Sequence, residues 1–271
     1  MTKFKLIFQH VIPHFMLTQL MGYLASSKNR LLKNTFIKIF SKCYDINMRE
    51  AVEGNPFAYV TFNDFFIRRL KADARPIGEG IVSPADGGLS QAGRIRGGKL
   101  IQAKGQTFSL NDFLVGDKSL VESYQQGSFA TIYLAPHNYH RVHMPLTGTL
   151  KKMIYVPGKL FSVSPLTAQH IPNLFARNER VIAHFDTEQG PMAIVMVGAM
   201  IVGSISTVWA GPVIPPRRGR VDSIAYDVPI TLKKGDELGY FSLGSTVVML
   251  FGQSVDWCGD ITTVKMGQAL T

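Results

Sequence analysis

Hydrophobic and polar positions follow two rhythms along this chain. In the first 50 residues, apolar side chains recur at i, i+3, i+4 and i+7: Phe4, Ile7, Phe8 and Val11, then Leu17, Leu20, Met21 and Leu24. That spacing marks one face of an α-helix. A third set, Phe36, Ile39, Phe40 and Cys43, follows a basic stretch between Lys28 and Lys33. Pro13 lies between the first two sets and breaks or kinks a helix there, because its ring removes a donor and clashes with the preceding turn.

From about residue 82 the rhythm shortens. Apolar or alternating runs at 100–103, 129–134, 153–156, 181–185, 193–197, 201–208 and 246–251 are separated by glycine-rich breaks, the texture of strands and turns. Few helical patterns intervene, so the expected fold class is α+β: a mainly antiparallel β core with an N-terminal amphipathic helical region. The division expected is a helical, membrane-associating region at 1–54 and a β-rich catalytic domain at 55–271, with 55–76 as the connector. The longest apolar run, 192–203, contains Gly198 and Gly203. It is shorter than the roughly 18 residues that cross a bilayer and reads as buried strand.

Charge sharpens the helical part of this picture. The chain carries 29 Lys and Arg against 19 Asp and Glu, a net +10. The first 50 residues hold eight of these cations and two acids, or +6. Apolar helix faces flanked by cations suit an anionic membrane surface, although amphipathic helices more often pack on their own protein's core. Nucleic acid, the other common anionic partner, is not expected, since no interleaved aromatic and basic platform is present. Gln9, His10, Pro13 and His14 interrupt the first apolar stretch, so no secretory signal is read there. Cys43 and Cys258 lack metal-ligand or redox spacing and read as two reduced thiols.

Three segments hold candidate chemistry. Ser83-Pro84-Ala85-Asp86-Gly87-Gly88 sets a carboxylate on a tight turn. The segment 133–145 contains His137, His140 and His143, three of the seven histidines. If the chain is extended there, His140 and His143 point to opposite faces; with no acid or cysteine cluster beside them, no metal is expected, and general acid–base work is the better reading. In Leu243-Gly244-Ser245-Thr246, Gly244 leaves its carbonyl unobstructed, and Ser245 can attack it if a base takes its proton. A His–Asp pair would supply base and orienter.

With these three segments in this order, the chain resembles the bacterial-type phosphatidylserine decarboxylases. Further likeness lies in Thr61-Phe62-Asn63-Asp64-Phe65-Phe66, Tyr155-Val156-Pro157-Gly158, Asn173-Leu174-Phe175-Ala176-Arg177-Asn178-Glu179-Arg180 and Val208-Trp209-Ala210-Gly211. The resemblance implies that Asp86, His143 and Ser245 drive self-cleavage between Gly244 and Ser245, yielding a large chain 1–244 and a small chain 245–271. It implies that Ser245 becomes a covalent pyruvoyl group, the only cofactor, which forms a Schiff base with phosphatidylserine. His140 is the candidate for substrate contact or proton transfer, its division of labour with His143 left open. The resemblance further implies a heterodimer of the two chains that dimerises again, held peripherally on the cytoplasmic face of the cytoplasmic membrane. His137-Asn138 departs from the more polar pair expected there. Two alternatives stand beside this reading: a serine hydrolase using the same Asp86, His143 and Ser245, although the G-x-S-x-G elbow is absent, and a non-catalytic basic membrane-binding protein.

Overall fold

The computed structural model describes residues 14–103, 105–200, 204–213, 219–242, 245–259 and 261–271. The helical set Phe4, Ile7, Phe8 and Val11, the Leu243-Gly244 pair and residues 201–203 lie outside the described residues. Helices α1 (His14–Ala25) and α2 (Arg30–Cys43) occupy the second and third helical patterns. Asn29 starts α2 by accepting from the Leu31 and Leu32 N–H groups at 3.0 and 3.2 Å, donors that the first helical turn leaves unpaired. Helix α3 (Phe62–Phe66) begins at a capping box in which Thr61 and Asp64 satisfy each other's N–H groups.

These helices close a small second core around Ala25, Ile37, Phe62, Phe65, Phe66 and Ile67. Phe40 meets Phe62 and Phe66 edge-on, with ring centroids 5.3 and 5.8 Å apart, an arrangement favoured by the ring quadrupoles. The apolar set of α2 divides between the second core, where Phe36 and Phe40 pack, and solvent. Ile39 and Cys43 of that set are exposed, while Ile37 and Lys33, outside it, are buried. Lys33 Nζ donates to the carbonyls of Phe57 and Tyr59 at 2.7 and 2.6 Å. Charge-assisted bonds of this kind make a buried ammonium tolerable, so this cation ties the helical layer to its connector instead of facing outward.

The main core is antiparallel β, as the sequence pattern predicts. The strands are β1 (Gly87–Arg94), β2 (Lys99–Ala103), β3 (Gln106–Ser109), β4 (Ser128–Leu134), β5 (Arg141–His143), β6 (Gly148–Val156), β7 (Arg180–Thr187), β8 (Gly190–Val197), β9 (Ile205–Thr207), β10 (Gly211–Val213), β11 (Asp222–Leu232), β12 (Glu237–Phe241), β13 (Ser245–Phe251) and β14 (Thr263–Val264). Eight form one sheet in the order β11-β6-β7-β8-β13-β4-β1-β14, four form a second in the order β10-β9-β12-β5, and β2 and β3 form a hairpin. Short helices α4 (Leu110–Phe113), α5 (Lys118–Tyr124), α6 (Pro165–His170) and α7 (Leu174–Arg177) fill the connections.

Strand β13 lies inside the large sheet, buried at all seven positions and paired on both sides. The apolar run expected as one strand over 192–203 divides instead. Strand β8 stops at Val197, where Gly198 donates its N–H to Glu179 O at 2.8 Å and accepts from Asn178 Nδ2 at 2.9 Å. The chain then crosses to the smaller sheet, which it joins at β9.

Candidate active site

Ser245 is the first residue of β13 and pairs with Leu134, the last of β4. One step along, Thr246 faces Tyr133, which faces Gly88 of β1 on its other side. Three neighbouring strands therefore bring Ser245, the loop after β4 and the Asp86 turn to one end of the sheet. The residue after Asp86 must be glycine for this to work: a Cβ on Gly87 would stand 2.3 Å from the Tyr133 carbonyl oxygen. On the smaller sheet, His143 of β5 pairs with Glu237 of β12, and its N–H donates to Pro84 O at 2.8 Å. Strand β5 thus joins the Asp86 turn to the strand that leads toward Ser245.

The Asp86 carboxylate is fully engaged. Arg75 grips it with Nε and Nη2 at 2.9 and 2.6 Å, and the Met266 N–H donates to it at 2.8 Å. The same Arg75 reaches Glu50 at 2.8 Å. Asp86 and His143 share no hydrogen bond. His143 is oriented instead by Gly235 and Tyr139, whose carbonyl and hydroxyl lie 2.8 Å from Nδ1 and 3.0 Å from Nε2. A carbonyl only accepts, so Nδ1 carries the proton and Nε2 is the basic lone pair, meeting the Tyr139 hydroxyl. Burial pushes the His143 pKa below its ordinary value, opposed by the Gly235 carbonyl and by the Glu237 and Asp86 charges. The ring is neutral at pH 7, and Asp86 acts on it through space.

His140 is completely buried, its ring 4.1 Å from that of Phe66. Nδ1 donates to Asn138 O at 2.8 Å, and among the described residues Nε2 has no partner. Burial above all pushes its pKa down to about 3, leaving a bare, neutral acceptor. Ser245 is equally buried, and among the described residues its Oγ has no hydrogen-bond partner, nor does Oγ1 of Thr246. An unpaired buried hydroxyl costs about 1–3 kcal/mol and is uncommon in folded proteins. Arg75, Tyr139, Gly235 and the Met266 N–H were not singled out from the sequence. Tyr139 lay within a segment already of interest, but nothing in the local pattern around Arg75 points to Asp86 or Glu50.

A buried serine hydroxyl heading a central strand, with two neutral imidazoles on the adjoining segments, suits a class of protein that uses serine chemistry on its own chain. A family model described as phosphatidylserine decarboxylase matches residues 62–271, and a second, described as PSD, matches residues 4–45. The chain is 53% identical over 273 residues to the phosphatidylserine decarboxylase proenzyme of Ectopseudomonas mendocina, covering 97% of this chain and 95% of that one. It is 55% identical over 262 residues to the proenzyme of Vibrio cholerae, covering 93% and 91% of the two chains. With the Saccharophagus degradans proenzyme the identity is 52% over 271 residues, covering 97% and 94%. The chain belongs to the phosphatidylserine decarboxylase family.

Proposed function

We propose that this chain cleaves itself between Gly244 and Ser245 and then converts phosphatidylserine to phosphatidylethanolamine and CO2, with Asp86, His143, Ser245 and His140 carrying the chemistry. Family membership gives the overall reaction, a carboxy-lyase made as a proenzyme and dependent on a pyruvoyl group. The observation that supports these residue roles best is Ser245: a buried hydroxyl, without a partner among the described residues, at the head of a central strand.

In the first reaction, neutral His143 accepts the Ser245 proton at Nε2, through the Tyr139 hydroxyl that stands on that lone pair or after it swings aside. The Asp86 charge stabilises the imidazolium. The Ser245 oxygen adds to the Gly244 carbonyl, and the amide C–N bond breaks, giving an ester and a free amine at residue 245. Loss of the Ser245 α-proton then expels the carboxylate of residue 244. The dehydroalanine that remains takes up water and releases ammonia, leaving pyruvoyl. Chains 1–244 and 245–271 stay together because cleavage at the head of β13 spares its ladders to β4 and β8.

In the second reaction, the pyruvoyl ketone supplies an electron-withdrawing group, joined to the substrate amine, that draws in the electron pair released as CO2 departs. His140 presents its bare Nε2 to the substrate's N–H and moves a proton there. The serine hydrolase alternative is disfavoured by family membership, which carries a pyruvoyl-dependent proenzyme that consumes its serine hydroxyl instead of keeping it as a nucleophile.

Residues 1–54 are the membrane-associating part of this reading, bound peripherally on the cytoplasmic face of the cytoplasmic membrane, and the cleaved heterodimer pairs again. Met16, Leu20 and Tyr23 on α1 and Leu31 and Ile39 on α2 are exposed. Among the described residues no helix is long and apolar enough to cross a membrane. Intact-mass analysis tests the proposal: the wild type gives two chains, the smaller of 27 residues beginning with pyruvoyl, and Ser245→Ala gives one. Cleavage of Ser245→Ala at the same bond refutes it.

A further inference from the structure

A cavity of about 270 Å³ lies between the helical layer and β5, lined among others by Tyr59, Ile67, Arg68, Arg69 and Arg141. Two of these arginines are ordinary. Arg141 donates to Glu237 at 2.5 Å and to Ile67 O at 2.9 Å, and Arg69 is exposed. Arg68 differs. It is only 4% exposed, yet its acceptors are two backbone carbonyls, Phe66 O at 3.4 Å and His137 O at 3.2 Å. Among the described residues its Nε–H meets no acceptor and it makes no ion pair.

The two carboxylates in the cavity wall do not answer it. Glu53 accepts from the Asn55 N–H at 2.7 Å, and Asp64 is occupied by the Thr61 capping box. A buried guanidinium without an ion pair is costly: burial lowers its pKa, opposed in part by the charges of Asp86 and Glu50, which Arg75 already holds. Its planar fork of donors matches the paired oxygens of a phosphate.

The cavity adjoins the proposed chemistry. Arg68 holds the carbonyl of His137, three residues before His140, while Phe66 lies against the His140 ring and Arg141 follows it in the chain. We propose that this cavity receives the phosphodiester of the substrate headgroup, with Arg68 as its counter-charge and Tyr59 and Arg141 beside it. This assignment rests on the function proposed above. The headgroup carries two anions, and the chemistry chooses between them. The carboxylate loses its charge as CO2 forms, so a cation held against it would stabilise substrate over transition state and slow the reaction. The phosphodiester keeps its charge throughout, and its phosphorus is four bonds from the reacting amine. A cation beside the histidines, not among them, suits it.

The test uses cleaved wild type, Arg68→Gln and Arg68→Lys with a short-chain, monomeric phosphatidylserine, completeness of chain cleavage serving as the check on folding. Arg68→Gln should raise KM roughly 10- to 100-fold, the worth of a charged hydrogen bond, with a much smaller change in kcat; Arg68→Lys should raise it less. Glycerophosphoglycerol, a phosphodiester with neither amine nor carboxylate, should compete with substrate in the wild type and lose most of its inhibition in Arg68→Gln. Inhibition by L-serine, which has the carboxylate and no phosphate, should change little. An unchanged KM, or sensitivity in the L-serine arm alone, overturns the assignment. If neither variant cleaves, the wild type still decides: absence of competitive inhibition by glycerophosphoglycerol at tens of millimolar overturns it. Failure of the underlying function is distinguishable, since the wild type would then release no CO2.

Discussion

Two histidines three residues apart occupy different environments, and each environment has a pH consequence. His140 is buried with a folded pKa of about 3, against about 6.5 in an unfolded chain. A histidine whose folded pKa is depressed favours folding fully above pH 6.5, and this contribution is lost as pH falls toward the folded value. Between pH 7 and pH 5 the loss from His140 alone is about 2 kcal/mol. Urea midpoints at these two pH values should record it, and His140→Gln should flatten the trend; an equal decline in that variant would assign the acid sensitivity elsewhere. His143 must be neutral to accept a proton, and its pKa is also lowered by burial. The rate of chain cleavage should therefore be flat above about pH 6.5 and fall only below it, as read by gel electrophoresis of freshly refolded precursor. The sequence offered both histidines as candidates but not the carbonyls of Asn138 and Gly235 that fix their tautomers, because those contacts depend on the path of the backbone.

Strand pairing places the Asp86 turn, and glycine at 87 allows it. The Tyr133 carbonyl occupies the space a side chain at Gly87 would need, whereas a Cβ on Gly93 of the same strand would find its nearest neighbour, the Phe129 ring, at 4.0 Å. Gly87→Ala should push β1 from β4, cost about 2–3 kcal/mol as overpacking does, and slow chain cleavage by shifting Asp86. Gly93→Ala should do neither; thermal melts and cleavage assays on the pair would read the contrast. Strand β13 was legible in outline, since a run of apolar residues after a Gly-Ser-Thr turn reads as buried strand. Its neighbours were not, because pairing with β4 and β8 depends on topology. Helix α2 was legible as a helix, but its apolar set divides: Phe36 and Phe40 pack on the second core beside buried Ile37, while Ile39 and Cys43 are left exposed.

At the scale of the molecule, the β body bears the proposed chemistry and the helical layer bears exposed apolar side chains. Leu31 is 82% exposed, and full burial of one such side chain stabilises by about 1.5–3 kcal/mol. Leu31→Glu should therefore weaken binding to anionic vesicles roughly 10- to 100-fold, measured by co-sedimentation, with chain cleavage followed in the same samples to verify the fold. Unchanged vesicle affinity would mean that this face meets something other than lipid. The charge excess of the first 50 residues pointed to that surface, yet Lys33 is withdrawn from it, bound to the carbonyls of Phe57 and Tyr59.

Local pattern alone determined where helices and strands begin and end in outline, that the β core is antiparallel, and which short segments hold the serine, the histidines and the aspartate. Periodicity and turn chemistry act over a few residues, and a few residues suffice to reveal them. Only the tertiary structure decided that Arg75 holds Asp86 across 11 positions, that the Ser245 hydroxyl is buried without a partner among the described residues, and that Arg68 stands without an ion pair beside a cavity. These are balances of charge and hydrogen bonding among groups distant in the chain, and they exist only once folding has excluded water from between them.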